Sequence, residues 1–243
     1  MPYFTQETLD FLAGIRANNS REWFEPRKAF YQEQVFAPLK ALGDALFEPY
    51  QDMPEMIHKA SRIYKDANFP PYLHYRDTLW IYILREAMYW SRSPLLFFEI
   101  APEGARFGFR IGSPAPALMA YFCSQLESDP APFLEILHTM EKQGIELTGD
   151  EYKRPKPCKN DELLRFFKLK SITAQAELPP GDILFSDALV PRIREVYETV
   201  FPLHEYLSEL MVSHAVSQAA ASAEKSAATE VPVILAPKED FMW

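Results

Sequence analysis

Glycine is scarce in this chain, 8 of 243 residues. None falls in a GxGxxG or GxxxxGKS/T arrangement, so dinucleotide-binding and phosphate-loop readings have no support. Cysteine is scarcer still: Cys123 and Cys158 are the only two. They lie too far apart for CxxC spacing, which excludes a disulfide framework and removes the usual basis for a structural zinc site. Plain thiols suit a reducing cytoplasm. Positive charge is in deficit, with 25 Lys and Arg against 34 Asp and Glu for a formal charge of −9, and the averaged field repels phosphate backbones and anionic lipid. No apolar run approaches the roughly 18 residues of a membrane span, and the opening MPYFTQETLDF has neither a basic n-region nor an apolar h-region. The histidines, His58, His74, His138, His204 and His214, show no HExxH or HxH spacing, and no GxSxG occurs, so no metal or cofactor is expected. These absences point to a cytoplasmic protein without membrane contact.

What is present is apolar and aromatic: 48% hydrophobic and 14% aromatic residues against 24% charged suffice for one large core. Leu9, Leu12 and Ile15 recur at helical spacing, and the stretch NNSREWF (18–24) ends that helix. Asn19 with Glu22 resembles a capping box for the next one, which is bent at Pro38. Residues 57–83 predict two strands. LLFFEIA, then PEG, then RFGFRIG predicts a β-hairpin turning at Glu103 and Gly104. Pro114 behind Ser113 and Pro130 behind Asp129 predict helix starts, KSITAQAEL a strand, and Ser186 the cap of a long helix. The expected fold is a single α+β domain over 1–213, an antiparallel or mixed central sheet packed by N-terminal and C-terminal helices. An Ala/Ser-rich tail, 214–243, follows, whose VPVIL and FMW are apolar enough to dock, either tucked back onto the domain or against a protein partner.

Alternation about the predicted turn puts Leu96, Phe98, Ile100, Phe107, Phe109 and Ile111 on a core face. The other face carries Phe97 and Glu99 opposite an alternation of glycine with Arg106 and Arg110, with Glu99 facing Gly108 and both arginines at its diagonal positions. Glycine in a strand clears room for a ligand or for another backbone, and guanidinium forks match carboxylate or phosphate. The competing reading is a solvated face holding a cross-strand ion pair. A second cluster is ASRIYKDANF (60–69) followed by YRDTLW (75–80), in which Arg62, Tyr64, Lys65, Asp66 and Arg76 combine anion donors with groups for proton transfer.

RIYKDANF, YRDTLW and NNSREWF, with APEG before a strand and DELLRFFKLKS later, together resemble the bacterial and fungal family called domain of unknown function 2461 over nearly all of residues 4–207. Lys65 and Asn68 stand where that family tends to have arginine, and Tyr75–Arg76 replaces part of its PYK-type segment. The resemblance implies a fold and no reaction.

The leading expectation is a small anionic ligand, bearing phosphate or carboxylate, bound by Arg62, Lys65, Arg76, Arg106 and Arg110. Tyr64, Asp66 and Glu99 are the candidates for orientation or proton transfer, with catalysis left open. The alternative is a protein-interaction or structural module without catalytic activity, in which the aromatic-rich surface and the apolar C-terminal tail contact a protein partner. The basic run Lys153, Arg154, Lys156, Lys159, Arg165, Lys168 and Lys170 reads as a solvated face, and no nucleic acid partner is expected.

Overall fold

Alternation between apolar and polar residues decides the middle of the chain, where period two makes one side of each strand bury. In the computed structural model, which describes residues 2–65, 72–86, 91–154, 157, 158 and 160–229, β1 (Met56–Ala60), β2 (Leu79–Arg85), β3 (Leu95–Ala101), β4 (Gly104–Ile111), β5 (Leu147–Thr148) and β6 (Ile172–Leu178) form a sheet of order β1-β2-β3-β4-β6-β5. Every pairing in it is antiparallel. With helices on one face the architecture is α+β, as expected. Ile81, Ile83, Leu96, Phe98, Ile100, Phe107, Phe109 and Ile172 point to that covered face and are buried. Each contributes roughly 1.5–3 kcal/mol of transfer free energy.

The hairpin turns one residue earlier than the sequence suggested. Ala101 pairs with Gly104, so Pro102 and Glu103 are the turn centre, and Glu99 faces Arg106 rather than Gly108. Gly104 is needed as a strand residue: at φ +126 an added Cβ would sit 2.3 Å from the carbonyl oxygen of Leu178. The partner of each residue therefore moves by two positions, which preserves the faces and changes the pairs.

The NNSREWF junction is also corrected. Ser20, not Asn19, caps the following turn (Arg21–Phe24), its Oγ accepting from Trp23 N–H at 3.3 Å. Asn19 instead clamps a distant segment, accepting from the N–H groups of His74 and Tyr75 at 2.9 and 3.0 Å and donating to Tyr75 C=O at 2.9 Å. Trp23 covers Gly14 of α1 (Gln6–Ala17) so closely that an added Cβ would lie 2.4 Å from its ring. The helical run continues through a π-helical segment, Tyr31–Phe36, into α2 (Ala37–Phe47). Pro38, lacking an N–H, opens α2 at this change of register.

Two further boundaries shift. α3 (Pro116–Ser128) starts at Pro116 behind Ala115 rather than at Pro114 behind Ser113, and β5 was not expected. α4 (Ala131–Lys142) follows Asp129 as expected, and Gly144, at φ +74, lies just beyond its end. Helix α5 (Leu164–Phe167) precedes β6, and the long helix α6 (Leu189–Thr229) starts where Ser186 Oγ accepts from Ala188 N–H at 3.3 Å. α6 carries the Ala/Ser-rich sequence to Thr229 as helix, with Val212 and Val216 exposed. Among the described residues no helix is long and apolar enough to cross a membrane. Asp66, Asn68, Trp90, Lys156, Lys159 and the apolar ends of the tail, 231–243, lie outside the described residues.

Candidate functional site

The opposite face of the sheet, where Tyr82, Leu84, Leu95 and Phe97 form a second, smaller buried cluster, is organised around Glu99, which is 8% exposed. Arg106, directly opposite on β4, donates from Nη2 to Glu99 Oε2 at 2.9 Å. Arg110 reaches back along the strand so that its guanidinium lies 4.6 Å from the centroid of the Phe97 ring. From there its Nη2 donates to Glu99 Oε1 at 2.7 Å and to the Tyr82 hydroxyl at 2.8 Å. Tyr82 is itself stacked on Trp80, centroids 4.1 Å apart. Arg110 is thus held by two acceptors and an aromatic face, the arrangement that suits guanidinium better than ammonium.

Gly108, opposite Phe97 between the two arginines, answers the question raised by the glycine alternation. At φ +151 an added Cβ would meet the Ala174 carbonyl oxygen at 2.1 Å. The room it clears is for the neighbouring backbone of β6. The carboxylate that the two forks bind is likewise internal.

Arg110 nonetheless lines a cleft of about 700 Å³. Its floor continues across three strands, because Arg110 pairs with Thr173 on β6 and Thr173 pairs with Thr148 on β5. The end of β5 presses against β6 at Gly149, where an added Cβ would lie 2.0 Å from Ser171 C=O. Asp150 N–H then donates to Ser171 Oγ at 2.8 Å. The remaining walls include Ser91, Ser113 and Gln175, with Leu95 the sole aliphatic side chain of the lining among the described residues. Burial pushes the Tyr82 phenol above its ordinary value, against the pull of Arg110. It therefore stays protonated at neutral pH and is a hydrogen-bonding group rather than a base.

The cations named from the sequence separate into three places. Arg110 lines the cleft, while Arg106, its side chain 52% exposed, lines a neighbouring hollow of about 590 Å³ with Arg16, Glu103 and Glu177. In that hollow Arg16 bridges Asp77, at 2.5 Å, and Glu103, and the Arg16 hydrogen bond holds the Glu103 carboxyl below the usual range. Arg62, Lys65 and Arg76 line neither cavity. They belong to two short antiparallel segments, where Lys65 N–H donates to His74 C=O and Arg76 N–H to Ile63 C=O, at 2.9 and 2.7 Å. Tyr64, exposed, packs edge-on against Phe24 at 5.8 Å. Glu99 is in the cleft and, as the acceptor of two guanidinium groups, holds them in position.

Sequence reasoning missed Tyr82, Thr148, Asp150, Ser171 and Thr173 as members of the cleft. Tyr82 was findable, since strand parity places it beside Phe97. β5, two residues long, has no periodicity to detect. In the basic run, Arg165 donates to Glu141 at 2.8 Å and lies 4.7 Å over Phe166, a surface pairing. Among the described residues no group of three or more His, Cys, Asp or Glu is placed to hold a metal.

A family model described as "Conserved hypothetical protein (DUF2461)" matches residues 7–206, the family that the motifs resemble. No curated protein matches the chain.

Proposed function

Because the chain belongs to the DUF2461 family, whose description specifies no reaction, we propose a function from the cleft itself: the protein binds a small ligand through a carboxylate or phosphate placed on Arg110. One observation carries this reading. Arg110 is fixed over Phe97 by a single nitrogen, Nη2, and its Nε and Nη1 donors make no hydrogen bond among the described residues while the side chain, 27% exposed, borders the cleft. A pre-positioned guanidinium with unused donors beside neutral hydroxyls binds an anion without first losing side-chain freedom. Arg106 adds positive potential from the adjacent hollow. The reading fits a cytoplasmic setting, in which both cysteines remain thiols.

The test is isothermal titration of inorganic phosphate and of acetate into wild type, Arg110→Lys and Arg62→Lys. Replacing the fork by a point charge at 110 weakens binding by about tenfold, the equivalent of one charged hydrogen bond. The substitution at 62, outside the cleft, leaves it within about threefold, a difference of less than ~0.7 kcal/mol. Equal losses in the two variants, or none in either, remove Arg110 from the site.

A further inference from the structure

The cleft carries information about the rest of its ligand as well as the anion. Among the described residues of its lining, Leu95 and Tyr82 are the apolar and aromatic side chains, and the β5 end is lined by polar ones. Hydroxyl groups recur along the row that leads away from Arg110: Thr173, then Thr148, whose Oγ1 donates to Thr173 C=O at 3.3 Å and remains an acceptor, with Ser113 and Ser171 on the walls. At the far end stands Asp150. Its backbone is tied down by Ser171 Oγ and by Lys170 N–H, which donates to its C=O at 2.6 Å, while its carboxylate makes no hydrogen bond or ion pair among the described residues.

A hydroxyl both donates and accepts, whereas a carboxylate accepts only. A row of hydroxyls ending in a fixed-backbone carboxylate therefore complements a ligand with several donor–acceptor groups in series and donors at its far end. A ligand that is merely a small anion leaves that row unused, and an alkyl chain would desolvate it without return. Adjacent strands are about 4.8 Å apart, so the row from β4 to β5 spans about 10 Å, the length of a chain of several carbons.

Resting on the anion reading above, we infer that the ligand of this cleft is a polyhydroxylated acid: a sugar phosphate or sugar acid whose anion meets Arg110 and whose hydroxyls run along Thr173 and Thr148 to Asp150. The carboxylate at the end accepts from neighbouring hydroxyls, and the ring or chain lies over the row.

The test compares affinities by calorimetry for inorganic phosphate, glycerol phosphate, glucose 6-phosphate, gluconate, acetate and glucose, in wild type, Asp150→Asn and Thr173→Val. Wild type binds glucose 6-phosphate at least about tenfold more tightly than inorganic phosphate, and gluconate more tightly than acetate by a similar factor. These two ratios fall to below about threefold in Asp150→Asn, and Thr173→Val lowers them by a smaller factor. Glucose 6-phosphate and gluconate distinguish the two sources of the anion. Equal affinities for inorganic phosphate and glucose 6-phosphate, or a preference unaltered in both variants, overturn this inference and leave the anion site standing. Failure of every anion to bind removes the anion site as well.

Discussion

The two faces of the β3–β4 hairpin use the same strands for opposite purposes. The covered face holds Leu96, Phe98, Ile100, Phe107 and Phe109, each 0% exposed, and its energy depends only on volume and area. The other face sets a carboxylate, two guanidinium groups and a phenol beside the small buried cluster of Leu84, Leu95 and Phe97, and its energy depends also on which polar atom meets which. The covered face is therefore tolerant of register, and the polar part of the other is not.

The largest effect is expected on the covered face. Phe107→Ala leaves a cavity and lowers unfolding free energy by about 3–5 kcal/mol, whereas Thr173→Val in the cleft stays within about 0.5 kcal/mol. Urea denaturation measures both, and similar losses would break the contrast. Gly108→Ala forces a side chain into φ +151 and onto the Ala174 carbonyl. Its cost is about 1–3 kcal/mol even though no apolar contact is lost.

Double-mutant cycles sharpen the comparison within the open face. Glu99 couples to Arg110 by about 1–2 kcal/mol and to Arg106 by less than about 1 kcal/mol. The Arg110 side chain is 27% exposed and stacked on Phe97, whereas that of Arg106 is 52% exposed. Equal couplings would mean that the stacking on Phe97 adds nothing.

The smallest effect is one of pH, at a polar group on the covered side. His204 is fully buried, edge-on to Phe109 at 6.3 Å. Burial lowers its pKa below the ordinary 6.5, opposed by Glu205, whose Oε1 lies 3.2 Å from Nδ1. The unfolded chain then takes up the proton first as pH falls. The contribution of neutral His204 is complete above about pH 6.5 and is lost on acidification through its lower folded value. Urea midpoints taken between about pH 7 and pH 5 fall more steeply in wild type than in His204→Gln. Parallel curves would contradict this assignment.

The contrast also explains what was legible in the sequence. Burial needs parity alone, so the core face followed from alternation even with the turn misplaced by one residue. The long helix and β6 were visible for the same reason. The open face needed the register: Glu99 was expected beside Gly108 and stands beside Arg106, and no spacing reveals that Arg110 folds back over Phe97. β5 joins the cleft through tertiary pairing with β6, and its two residues carry no pattern. Asn19 illustrates the same limit, since its partners at residues 74 and 75 are remote in sequence although its residue type suits either role.

Arginine side-chain N–H resonances followed by NMR during titration with inorganic phosphate test the central claim most directly. Binding in the cleft shifts the Arg110 resonance saturably and leaves that of Arg62 in place. An unmoved Arg110 resonance at saturating phosphate, or equal shifts at the two arginines, would contradict the account.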